Sequence, residues 1–115
     1  MMHEFRRAKR RKAPDTILVT DAMTERVIGR IGNLSETGML LMLNAHLVDD
    51  ALYQLRFTLR DGGNGQQVDV GAHLLWMDRA SAPTQVWAGF RFIAVSEAQA
   101  RRLRSWIDAP GSHYE

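Results

Sequence analysis

Apolar and polar residues alternate along most of this chain with a period of two. Tyr53, Leu55, Phe57 and Leu59 interleave with Gln54, Arg56, Thr58 and Arg60. A half-buried strand requires this pattern, because successive side chains point to opposite faces. Asp61-Gly62-Gly63-Asn64-Gly65 predicts a turn, since glycine and asparagine tolerate positive φ. The alternation resumes at Val68, Val70, Ala72, Leu74 and Trp76 and, after a loop at 78–84 containing Pro83, at Val86, Ala88, Phe90 and Phe92. Upstream, Ile17-Leu18-Val19 is a short β-rich run, and residues 21–24 turn the chain. Residues 25–34 read as a strand with Val27, Gly29 and Ile31 on one face and Ile28 and Arg30 on the other. Met39-Leu40-Leu41-Met42-Leu43 is a continuous apolar run, the mark of a buried strand. Residues 44–51 are polar and irregular, with a short helical turn expected there.

The period changes at the end of the chain. Ser96-Glu97-Ala98-Gln99 has the form of a capping box, and Leu103, Trp106 and Ile107 follow at helical spacing until Pro110-Gly111 stops the helix. Regular strands with short turns and one helix predict a mainly all-β protein, a small antiparallel barrel plugged or flanked by that helix.

The chain's 115 residues suit one domain with one core. It contains no cysteine, which excludes disulfides, thiolate metal sites and cysteine nucleophiles. No apolar run approaches the ~18 residues of a membrane span. The basic N-terminal stretch runs into Ala13-Pro14-Asp15 rather than an apolar segment, so a secretory signal is not expected and a cytoplasmic location is. The net charge of +2 is unevenly placed: residues 1–12 hold six Arg/Lys and one Glu, leaving the rest mildly acidic. Such a block reads as an anion-seeking arm, whereas a general nucleic-acid binder more often spreads a basic face over its fold.

Two motifs flank the first strands. Arg6-Arg7-Ala8-Lys9-Arg10-Arg11-Lys12 supplies guanidinium forks, and Asn33-Leu34-Ser35-Glu36-Thr37-Gly38 supplies a carboxamide, a hydroxyl and a tight turn. Guanine presents O6 and N7 on one edge, which an arginine fork matches bidentately. Arginine also stacks on purines and pairs with phosphate. Brought together, the motifs would clamp a small anionic ligand rich in guanine and phosphate. Catalysis finds no support, because His3, His46, His73 and His113 are scattered without metal-ligand spacing. Ser35 has no evident base partner, and the glycines at 62–65 lack the lysine and helix of a phosphate loop.

On these residues the chain resembles the PilZ domain family. The Arg-x-x-x-Arg arm fits as Arg6 with Arg10 or as Arg7 with Arg11, and the Asn-x-Ser-x-x-Gly turn fits once, as Asn33, Ser35 and Gly38. The resemblance covers roughly residues 5–108. It implies a six-stranded antiparallel PilZ-type β-barrel over residues 15–108 with a C-terminal α-helix, a flexible basic N-terminal arm over 1–14 and a tail over 109–115. It further implies a receptor that binds the bacterial second messenger cyclic di-GMP, with no catalytic residues, metal or cofactor. Arg6, Arg7, Arg10 and Arg11 would supply arm contacts and Asn33, Ser35 and Gly38 the rest. Trp76, read from its place near the expected barrel rim, either lines the ligand site or packs as a core or rim aromatic. Gly38 is expected to allow positive φ or close ligand approach. The free arm would order on ligand binding and signal to an unidentified protein partner, in motility, biofilm or related outputs. An arginine just before the motif, Arg6 in the second register, would favour a stacked ligand dimer. Two rivals remain: an adaptor of the same fold that does not bind the nucleotide, and nonspecific nucleic-acid binding through the arm.

Overall fold

The computed structural model describes residues 8–61, 63–79 and 85–115, the side chain of Arg79 excepted. It contains seven strands and one helix: β1 (Arg11–Lys12), β2 (Leu18–Asp21), β3 (Arg26–Leu34), β4 (Gly38–Leu43), β5 (Leu52–Asp61), β6 (Asn64–Arg79), β7 (Val86–Ala94) and α1 (Glu97–Ile107). The sheet runs β3-β2-β5-β6-β7-β4, and β4 pairs back onto β3. Six antiparallel strands therefore close a barrel, and β1 lies outside it on β3. Closure removes the unpaired edges that an open sheet would present.

The alternating residues fill the interior as their period requires. Leu55, Phe57, Leu59, Val68, Val70, Ala72, Leu74, Ala88 and Phe90 are all buried in one cluster with Leu41 and Leu43 of the apolar run. In α1, Leu103, Trp106 and Ile107 turn inward to cover the barrel end formed by β5 and β6. Ser96 caps the helix by accepting from the Gln99 amide at 3.2 Å. The glutamine half of the expected capping box is not made. Gln99 Oε1 instead accepts from the Asp69 amide at 2.9 Å, tying the first turn to β6.

Four bulges interrupt the ladders, one of them at Ile93 of β7 against β6, and move side chains away from the positions that simple alternation predicts. On β3, Ile28 is the extra residue against β2, so Ile28 is buried together with Ile31 while Val27 is exposed, whereas the sequence pattern puts Val27 on one face with Ile31 and Ile28 on the other. Gly32 is the extra residue of β3 against β4, and Leu75 that of β6 against β7. The Leu75 bulge turns Trp76 out of the core series that Leu74 ends, leaving it 45% exposed. A bulge adds one residue to one strand only, which flips everything beyond it. Strand β6 also continues through residues 78 and 79, where a loop was expected. Residues 44–51 form turns and irregular backbone rather than a helical turn, held by the Tyr53 hydroxyl on the Val48 amide and carbonyl.

Candidate nucleotide-binding face

Where the basic arm meets the barrel, the two motifs touch. Lys12 pairs with Asn33 and Arg11 with Leu34. Cross-strand partners project to the same side of a sheet and neighbours to opposite sides. Arg10 and Lys12 therefore share the outer face with Asn33, while Arg11 follows Leu34 toward the core. The contacts agree. Arg10 Nη1 donates to Asn33 Oδ1 at 2.9 Å, joining residues 23 apart in sequence.

Arg11 is engaged elsewhere. Only 9% of it is exposed. Its guanidinium lies 4.1 Å from the centre of the Trp106 ring, and Nη1 donates to the Trp106 carbonyl at 2.8 Å. That carbonyl belongs to the last turn of α1, where the helix dipole favours a cation. Arg11 Nε is buried without a hydrogen-bond partner among the described residues. The Arg11–Lys12 part of the expected flexible arm is thus strand, fixed because Arg11 caps the helix. Arg6 and Arg7 lie outside the described residues.

The Ser35 hydroxyl has no exposed surface. It accepts from the Thr37 amide at 3.1 Å and the Gly38 amide at 3.2 Å, and lies 3.2 Å from Thr37 Oγ1 and the Gly38 carbonyl. A serine suits this place because its oxygen reaches backbone amides two and three residues on. Gly38 does not have positive φ. Glycine is required because a Cβ there would overlap the Phe90 carbonyl of β7. These two residues hold the β3–β4 turn tight against β7, which fixes the position of Asn33.

The registers extend the site sideways. Asn33 pairs with Leu40, Leu40 with Gly89, and Gly89 with Trp76. The row lies on the outer face, since Met39, Leu41, Ala88 and Phe90 on either side of it are core residues. Three interstrand steps at about 4.8 Å each make the row about 14 Å long. Trp76 packs directly on Gly89, where a Cβ would overlap the indole. One end of the row is polar and cationic and the other aromatic. Exposed Arg91, opposite Gly38, and exposed Arg30, opposite Met42, flank it. A hollow of about 310 Å³ opens beside Gly32, between residues 13–16 and Trp87.

Close to the arm, Asp108 holds Lys9 above the ordinary lysine value, first through a hydrogen bond and then through its charge. On the far side of the barrel, Glu25 likewise raises Arg56 by hydrogen bond and charge. Among the described residues no helix is long and apolar enough to cross a membrane. Sequence reasoning did not find the contribution of Leu40 and Gly89, or the Trp106 platform under Arg11. The only hint was a tryptophan at a buried helical position, which ordinary packing also explains.

No curated protein sequence matches the chain. Among solved structures it is similar to the Bacillus subtilis inhibitor of motility, MotI/DgrA, with a TM-score of 0.71 and 12% identity over 88% of this chain and 48% of that one. It is similar to Escherichia coli YcgR in complex with c-di-GMP, with a TM-score of 0.68 and 25% identity over 88% of this chain and 43% of that one. The PilZ domain of Escherichia coli YcgR with c-di-GMP gives a TM-score of 0.65 and 20% identity, covering 85% of each chain. The chain thus spans about half the length of the first two and most of the third. The family model for the PilZ domain matches residues 4–109, so it takes in the arm, the Asn33–Gly38 motif, the barrel and the helix, and the chain belongs to the PilZ domain family.

Proposed function

We propose that this chain is a cyclic di-GMP receptor that signals to a protein partner in the cytoplasm. The observation that carries the reading is the Arg10–Asn33 bond, which joins the two ligand motifs on one outer face. The row from Asn33 to Trp76 offers a hydrogen-bonding edge at one end and a stacking surface at the other, the chemistry that a guanine nucleotide needs. The solved YcgR structures with c-di-GMP support the same ligand.

The reading selects the Arg6/Arg10 register. Arg10 contributes to the ligand, with Arg6 four residues before it, and Arg11 anchors the arm. Arg7 lies within the motif rather than at its ends. In this register Phe5 precedes the motif, and the reading is one bound nucleotide rather than a stacked dimer. Asn33 binds directly, while Ser35 and Gly38 act by shaping its turn. Nucleotide binding changes the conformation of the basic arm and with it the surface offered to the partner.

Calorimetric titration of cyclic di-GMP into the intact protein and into Arg10→Ala tests this. A good bidentate guanine contact is worth about 1–3 kcal/mol, so Arg10→Ala weakens binding by roughly 5- to 150-fold. A molar ratio near one is expected. Absence of heat with the intact protein overturns the receptor reading and leaves the adaptor.

A further inference from the structure

Strand β1 has two neighbours. One edge pairs with β3. The other meets residues 113–115 running antiparallel. There the Lys12 amide donates to the His113 carbonyl at 2.8 Å, the Glu115 amide donates to the Arg10 carbonyl at 2.9 Å, and Arg11 sits opposite Tyr114. The same segment is tied to the end of α1. The Tyr114 hydroxyl donates to the Ile107 carbonyl at 2.7 Å, and the Ser112 hydroxyl to the Ala109 carbonyl at 2.6 Å. Lys9 Nζ lies 2.6 Å from Asp108 and 5.5 Å from the centre of the Tyr114 ring.

A strand of two residues is far shorter than the usual 5–6 and is a weak element on a single ladder. The second ladder encloses it. The Arg10 backbone is held by Glu115 while its guanidinium reaches Asn33. Arg11 and Tyr114 cap successive carbonyls of one helix end, those of Trp106 and Ile107.

We infer that residues 112–115 form a positioning strap for the arm. They hold β1 in its register on β3, so that Arg10 stands at Asn33 before the nucleotide arrives. The strap touches no ligand group. It acts through the fraction of molecules whose arm is docked, and apparent affinity falls in proportion to that fraction. This inference rests on the cyclic di-GMP reading for its effect on binding, but not for its effect on the arm.

The test uses the full chain beside a version lacking residues 112–115, and a milder Glu115→Pro variant that removes one amide donor. Amide hydrogen exchange at Ala13 is measured without nucleotide. That amide bonds to the Gly32 carbonyl of β3 and makes no bond to the strap, so it reports whether the arm stays on the barrel. Removing the strap is expected to speed Ala13 exchange at least tenfold and to weaken cyclic di-GMP binding about tenfold, as when the docked fraction falls to about one tenth. Glu115→Pro moves both in the same direction by less, with the fold retained by circular dichroism. Unchanged Ala13 exchange overturns the strap. Tighter nucleotide binding without residues 112–115 also overturns it and makes the segment a competitor for the arm. If the intact protein does not bind cyclic di-GMP, the receptor reading fails and Ala13 exchange alone decides the strap.

Discussion

Replacing Arg11 with methionine separates anchoring from recognition, because the substitution keeps an unbranched apolar stem and removes only the guanidinium. The wild-type side chain makes a charge-assisted hydrogen bond to the Trp106 carbonyl and a cation–π contact with its ring. Bonds of the first kind contribute about 1.5–3 kcal/mol and contacts of the second about 0.5–2 kcal/mol. Against this stands the cost of burying Nε without a partner, about 1–3 kcal/mol. The Trp106 carbonyl also keeps a second donor, the Ala109 amide at 3.3 Å. The net loss is therefore about 1–2 kcal/mol, and a domain of this size converts each into about 4 °C of melting temperature. Thermal unfolding of Arg11→Met should show a fall of about 4–8 °C. Arg10→Met removes the donor to Asn33 Oδ1, in a residue only 5% exposed, at about 0.5–1 kcal/mol, and should melt about 2–4 °C below wild type, less than the Arg11 variant loses. Titration with cyclic di-GMP should give the opposite ranking, with Arg10→Met the more damaging. If Arg11→Met abolishes binding without lowering the melting temperature while Arg10→Met binds normally, the register is Arg7/Arg11 and the argument from strand parity is refuted.

Three further substitutions probe the face itself. Gly38→Ala forces a methyl group against the Phe90 carbonyl and should cost about 1–3 kcal/mol in urea unfolding; an unchanged midpoint would show that β4 and β7 separate more easily than their pairing implies. Ser35→Ala leaves the Thr37 and Gly38 amides without their acceptor and should cost about 1–3 kcal/mol of stability; a loss of affinity at unchanged stability would make the hydroxyl a direct ligand group. Trp76→Ala removes a half-exposed indole at the far end of the row and should weaken cyclic di-GMP binding by roughly 5- to 150-fold, the value of one base–aromatic stack. Unaltered binding there would confine the site to the Arg10 end.

The strands were legible where two conditions met, a buried inner face and an unbroken ladder. Leu55, Phe57 and Leu59 face Val68 and Val70 across β5 and β6 without a slip, so the period of two read true from end to end. It failed at Ile28 and at Trp76, where the extra residue of a bulge is decided by the partner strand. The arm had the same difficulty in a sharper form. Six Arg/Lys in twelve residues read as an anion-seeking arm, but which arginines the proposed site can use depends on parity, and parity follows from which residue sits opposite Asn33. Gly38 was legible as necessary but not for its reason, since the crowding atom belongs to a residue 52 positions away. Residues 113–115 carry no pattern that announces pairing with Arg10.

The closed barrel divides the work of this molecule. Its interior is filled by side chains from six strands that pair in a complete circuit, so it can neither open an edge nor shift register without breaking core contacts. Any change that the proposed nucleotide binding brings would then come from parts added to the barrel: β1, residues 112–115 and the end of α1. These parts are joined by few bonds, among them those of Arg11 to Trp106, Tyr114 to Ile107 and Lys9 to Asp108. Elements with few contacts open at low free energy, and binding can draw on that reserve. A nucleotide held between Arg10 and Trp76 on the rigid face would therefore act on the arm and, through Arg11, on the helix end. Variants in the barrel should change stability with little effect on the coupling, while variants in the added parts should change the coupling, Arg11→Met lowering stability as well because its guanidinium is buried on Trp106.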